Sequence, residues 1–127
     1  MRLHHAAVVC RSREHADRFY GGILGLQHIK TATLEPRLAE QIFGIAQECQ
    51  FMLFGSEQLT VEIFIADIDS QASPLFEHLC LEVTNRDQFA EQCETQGLEV
   101  KRIPRGDTQL IFVKDYDGNL FEIKELE

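Results

Sequence analysis

Positive charge is scarce in this chain: twelve lysines and arginines stand against twenty-one acidic residues, a formal net charge of −9. That balance disfavours a nucleic-acid backbone or an anionic membrane surface as partner, because both call for a basic face. The acidity reads as a solubilising surface. Long apolar runs are missing too, and nothing approaches the ~18 consecutive apolar residues of a membrane span. The N-terminus lacks the charged-then-apolar architecture of a secretion signal, so the expected compartment is cytoplasmic. The four cysteines, Cys10, Cys49, Cys80 and Cys93, include no CxxC pair. They read as reduced thiols rather than a disulfide framework. What remains is ordinary for one soluble globular domain: 44% hydrophobic, 26% charged and 127 residues long, enough to bury a core.

What is present is a statement made twice. The strand-like run Leu3-His4-His5-Ala6-Ala7-Val8-Val9 carries a histidine, and so does Phe76-Glu77-His78-Leu79-Cys80-Leu81-Glu82-Val83. Each half then closes on an apolar strand with a single central glutamate. These are Leu59-Thr60-Val61-Glu62-Ile63-Phe64-Ile65 and Asn119-Leu120-Phe121-Glu122-Ile123-Lys124. The elements between follow one order. A strand over 3–10 leads to a helix that Ser12 caps, with Ala16, Phe19, Tyr20 and Ile23 on its apolar face and Gly25 at its end. Residues 26–33 return as a strand, and 51–55 with 59–65 form a hairpin. In the second half a strand over 76–84 precedes a helix from Asn85 to about Gln96, with Phe89, Ala90 and Cys93 inward and Gly97 at its end. Strands over 98–103 and 109–114 follow, and Asp117-Gly118-Asn119 turns the chain into the last one.

Each half is therefore βαβββ, and the expected class is α+β. The first module covers about 1–66, a polar linker 67–74, and the second module about 75–127. Residues 34–49 have no counterpart in the second half and predict a short amphipathic helix starting after Pro36. An insertion at the edge of a repeat is often where specificity resides; the plain alternative is a packing flap.

Alternation places the apolar neighbours of Glu62 and Glu122 on one face of their strands and each carboxylate on the other. A carboxylate in covered surroundings needs a partner or a cation. Two histidines and two glutamates suit one divalent ion, with zinc, nickel, cobalt, manganese and iron(II) all compatible. His4 neighbours His5 and so points to the other face of a strand, while His15 and His28 have no matching partner in the repeat. Cys80 shares a face with His78 and reads as a small buried filler rather than a ligand.

The paired βαβββ modules, Leu3 to His5, Phe19-Tyr20 with Ile23-Leu24-Gly25-Leu26, and Asp117-Gly118-Asn119-Leu120-Phe121-Glu122 together resemble the vicinal oxygen chelate superfamily. Its members include glyoxalase I, methylmalonyl-CoA epimerase, extradiol dioxygenases, fosfomycin-resistance enzymes and bleomycin-binding proteins. The resemblance spans the chain apart from 34–49 and implies a single domain of two tandem modules. They would form a curved, open, eight-stranded barrel-like sheet around a metal site. By position, His5, Glu62, His78 and Glu122 match the four ligand slots. A fourth ligand at Glu62 leans toward the glyoxalase I and epimerase pattern, since dioxygenase and fosfomycin-resistance relatives use three. That pattern implies a metal-dependent lyase or isomerase moving a proton beside a carbonyl of a small-molecule substrate, with Glu122 or Glu62 as the base. The alternatives are an antibiotic-binding resistance protein, in which the ligands are typically lost, and a dioxygenase. Glutathione-binding members are expected to place an arginine near the end of the first strand, where Val9 and Cys10 stand here. Lys101, Arg102 and Arg105 could meet an anionic group or simply line a solvated edge. Exposed sheet edges and the family resemblance both point to a homodimer.

Overall fold

The computed structural model describes residues 3–67 and 77–127. The expected linker, apart from Asp67, and the start of the fifth strand at Phe76 lie outside those residues. The chain divides into two compact units, Met1–Ile68 and Asp69–Glu127. In the first unit β1 (Ala6–Cys10) leads into α1 (Arg13–Ala16), which continues directly as a π-helix over Asp17–Ile23. Then come β2 (Gln27–Leu34), α2 (Pro36–Phe43), β3 (Cys49–Gly55) and β4 (Thr60–Ile65). The second unit runs β5 (Leu79–Val83), α3 (Arg86–Thr95), β6 (Val100–Arg105), β7 (Thr108–Lys114) and β8 (Leu120–Glu125). The α+β class and the eight strands are as expected. Their hydrogen bonding divides four and four, into sheets of order β1-β4-β3-β2 and β5-β8-β7-β6.

In each sheet the opening strand is inserted parallel to the closing one, and the other pairings are antiparallel. The burial alternates as the sequence implies. Val61 and Ile63 are buried on β4, as are Phe121 and Ile123 on β8, while Glu62 and Glu122 face the other way and are partly exposed. Phe19, Tyr20 and Ile23 are buried in the first unit together with Met52 and Phe54. In the second unit Ala90, Cys93, Ile111 and Val113 play that part.

The helix ends show why these segments form. Ser12 Oγ accepts from the His15 backbone N–H at 3.1 Å, and Asn85 Oδ1 accepts from that of Gln88 at 2.9 Å. Each satisfies a donor that a helix start otherwise leaves without an intrahelical partner. Gly25 and Gly97 end the two helices at φ values of 69° and 81°, a region costly for a residue with a Cβ. The expected first helix does widen into a π-turn, with the Leu24 N–H reaching Phe19 O at 2.8 Å. The Gly21-Gly22 pair sits in that turn, and a Cβ on Gly21 would meet the Phe54 ring at 3.4 Å, so the turn packs against β3.

Several boundaries differ from the sequence reading: β5 starts at Leu79, so Glu77 and His78 are not strand, and β3 starts two residues early, at Cys49. Residues 3–5 are not strand. The ladder with β4 starts at the Ala6–Val61 pair, and the two histidines ahead of it engage each other, Nδ1 to Nδ1, at 3.0 Å. β6 starts later than expected and extends through Pro104, which an edge strand tolerates because the proline nitrogen has no donor to pair. The insertion holds α2, with Pro36 at its start and Gly44 closing it at φ 71°. Replacing Ser12 or Asn85 by alanine should each lower stability by about 1 kcal/mol. Urea unfolding of the two variants checks this, with the midpoint falling and the slope unchanged.

Candidate functional site

Glu62 lies at the centre of the first sheet, between Ala7 of β1 and Leu53 of β3 in the register. Glu122 has the same place in the second, between Cys80 of β5 and Phe112 of β7. Each glutamate meets the histidine that precedes the opening strand of its own unit. His5 Nε2 lies 3.5 Å from Glu62 Oε2, and His78 Nε2 lies 3.8 Å from Glu122 Oε2. The structure thus brings the four residues together as two matched pairs, one in each unit. Parallel insertion of the opening strand makes this possible, because it sets the chain just ahead of β1 or β5 beside the closing glutamate.

The separations are informative. Both exceed the usual ~2.7–3.2 Å of a nitrogen–oxygen hydrogen bond. Two ligands on one ion at bonds of about 2.1 Å sit roughly 3.0–3.4 Å apart for right-angled to tetrahedral coordination. The pairs are therefore a few tenths of an ångström from a coordination edge. Imidazole nitrogen with carboxylate oxygen is a donor set that suits a borderline divalent ion, so these residues fit such a cation. All four side chains keep some solvent exposure, 18–41%, so a small ligand can reach them.

The surroundings orient the donors. His5 Nδ1 contacts His4 Nδ1, and the rings meet edge to face with centroids 5.3 Å apart. With the proton on His5 Nδ1 and His4 accepting it, His5 Nε2 keeps its lone pair for a cation. His4 was expected to point away from His5; it approaches because neither residue is in the strand. The His78 ring rests against Phe112 at 5.9 Å. Lys124 Nζ lies 3.9 Å from Glu122 Oε1. His15 and His28 join neither pair: His28 Nε2 contacts Thr31 Oγ1 at 2.9 Å.

Cys80 corrects the sequence reading. It is exposed, not a buried filler, because its strand position directly opposite Glu122 turns it to the glutamate's face. Its thiol is pushed up from the usual value by partial desolvation and then by the Glu122 charge, against a counteracting pull from Lys124. At the end of β1, where an arginine was expected for a glutathione-binding member, Cys10 is fully buried. The basic residues of β6 are largely committed: Arg102 pairs with Glu94, and Lys101 lies 3.6 Å from Glu99. No helix among the described residues is long and apolar enough to cross a membrane.

The chain belongs to the glyoxalase/bleomycin resistance protein/dioxygenase superfamily, whose sequence model matches residues 2–123. Solved structures share the fold across nearly the whole chain. A glyoxalase family protein from Bacillus cereus is 16% identical with a TM-score of 0.77, covering 98% of this chain and 93% of its own. The fosfomycin resistance protein FosX of Listeria monocytogenes is 18% identical with a TM-score of 0.73, covering 100% and 94%. A mutant of that FosX, in complex with Mn(II) and 1S,2S-dihydroxypropylphosphonic acid, is 20% identical with a TM-score of 0.71, covering 97% and 88%. No curated protein sequence matches the chain.

The thiols report directly on this geometry. Burial pushes Cys93 up to about 11, and Cys10 is sealed in the core. A disulfide reagent at pH 8 should therefore label Cys80 in the folded protein and spare Cys10 and Cys93 until denaturant is added. Mass mapping of the labelled peptides checks the order.

Proposed function

We propose that the protein is a metal-dependent lyase or isomerase acting on a small oxygenated molecule, with His5, Glu62, His78 and Glu122 as the ligands of one divalent ion. The observation that carries this reading is the matching placement of a His–Glu pair in two separate sheets. One such pair is an unremarkable surface contact; a second at the same register argues for a shared task. Crystallisation of a FosX neighbour with Mn(II) and a vicinal diol supports a divalent ion and an oxygen-rich ligand. Zinc, nickel, cobalt, manganese or iron(II) would satisfy this donor set.

A bound ion would supply Lewis acidity, polarising the substrate's oxygens and easing loss of a proton from the neighbouring carbon. The chain's own part is to orient the substrate and move that proton. Glu122 or Glu62 accepts it, since either carboxylate stands on the open face of its sheet. Lys124 Nζ lies beside Glu122, and His4 lies against His5 Nδ1, leaving His5 Nε2 on the Glu62 side. Four cysteines with no disulfide among them suit a reducing cytoplasm.

His78→Ala should abolish stoichiometric metal uptake by protein purified without a metal-binding tag; unchanged metal content in that variant would refute the ligand set. Glu122→Gln, which keeps an oxygen donor but no base, should slow turnover by ~10²–10⁴-fold with little loss of metal. Glu62→Gln in the same assay identifies which carboxylate moves the proton. Incubation with 2-oxo and 2-hydroxy acyl thioesters in deuterated water, followed by mass spectrometry, reads the exchange directly. Tight binding of an intact drug-like molecule with no exchange would favour sequestration instead.

We also propose a homodimer. Each sheet ends within its own unit on two edge strands, β1 and β2 or β5 and β6, whose outer backbone groups invite pairing. Sedimentation at micromolar concentration should give about twice the 14.6 kDa chain mass, and a single species at 14.6 kDa would count against it.

A further inference from the structure

The face of the first sheet that carries Glu62 also carries a group of aromatic rings. Phe64 follows Glu62 by two residues on β4 and so shares its face, and Phe51 and Leu53 stand opposite Phe64 and Glu62 on β3. The Phe51 and Phe64 rings lie 5.8 Å apart, and Phe43 at the end of α2 closes on Phe64 edge to face at 5.2 Å. Lys30 Nζ sits 5.9 Å from the centre of the Phe51 ring, a cation–π contact that steadies it. The insertion thus does more than fill an edge. It delivers a third ring to the glutamate's side of the sheet.

Packing alone does not account for the arrangement. Phe43 remains 51% exposed, and Phe51 and Phe64 are only partly buried. Ala7 and Ala32, next to Glu62 and Phe51 in the register, keep their places on this face low. The second sheet provides an internal control. The position corresponding to Phe64, two residues after Glu122, is Lys124, and the partner of Lys124 on β5 is Glu82. The same sheet position is aromatic in one unit and charged in the other.

We propose that Phe43, Phe51 and Phe64 form a specificity wall for an aromatic or branched-alkyl substituent on the substrate. Its oxygen pair is held by the ion that His5 and Glu62 help to bind, so this assignment rests on the metal reading above. Two residues of strand separate Glu62 from Phe64, about 7 Å, which is the reach from a chelating oxygen pair to a substituent one or two carbons away. The substrate class is then a 2-oxo or 2-hydroxy compound with an apolar side group, rather than a small polar phosphonate.

The test uses the intact protein loaded with Mn(II), titrated calorimetrically with pyruvate and with phenylpyruvate. Both present the same 2-oxo carboxylate to a metal and differ in the phenyl group. Phenylpyruvate should bind at least about tenfold tighter, as expected for moving a ring out of water. Phe64→Ala should shrink that preference to within about threefold while leaving Mn(II) stoichiometry and pyruvate affinity unchanged. Phe43→Ala, on a half-exposed ring, should reduce the preference in the same direction. Equal affinities in the parent protein, or a preference that survives both substitutions, would overturn the wall and leave the metal site standing. Failure of the parent protein to take up Mn(II) at all would instead remove the metal reading, and this assignment with it.

Discussion

The register of β4 and β8 is the constraint on which everything else depends. Val61 and Ile63 on one strand, and Phe121 and Ile123 on the other, are drawn into the core because exposing them would sacrifice about 1.5–3 kcal/mol each. Side chains on a strand alternate, so burying those four fixes the direction of the residue between each pair. Glu62 and Glu122 face away from that core as a by-product of apolar burial. A slip of one residue would send both carboxylates into the core and turn the core outward. The hydrophobic effect thus aims the acidic groups without acting on them.

Parallel insertion of the opening strand does the rest. β1 enters beside β4, and β5 beside β8, in the same sense, so the residues just ahead of them fall level with the glutamates. Had these strands entered antiparallel, the histidines would sit at the opposite end of the sheet. The helices between the first and second strands of each unit make the parallel crossover possible, and their caps and terminal glycines are correspondingly well defined. The chain therefore specifies its His–Glu pairs through three separate devices: alternation, crossover and capping.

Those devices are the ones that can be read without coordinates. Apolar spacing, Ser12, Asn85, Gly25, Gly97 and the Asp117-Gly118-Asn119 turn each speak through a local rule, so element order and cap positions were legible. Features decided by tertiary packing were not. The π-turn after Ala16 sets Gly21 against the Phe54 ring of β3, a contact between distant parts of the chain. The exposure of Cys80 depends on which face of β5 the rest of the molecule leaves open. The His4–His5 contact arises where the strand has not yet begun, so strand alternation could not foresee it. The aromatic group around Phe64 was hidden for a different reason. Phe43, Phe51 and Phe64 lie on three different elements, and only the β3–β4 register and the placement of α2 bring their rings together.

The position of α2 also bears on how a duplicated chain can diverge. The helix lies within the loop that must close before β1 can join β4, and it lengthens that loop relative to its twin. Ala6 finds Val61 in one copy, whereas Leu79 finds Phe121 over a shorter stretch in the other. Closure entropy grows only with the logarithm of loop length, so the extra segment costs the first copy just about 0.2 kcal/mol. One half of a tandem repeat can thus carry a whole extra element at almost no thermodynamic penalty.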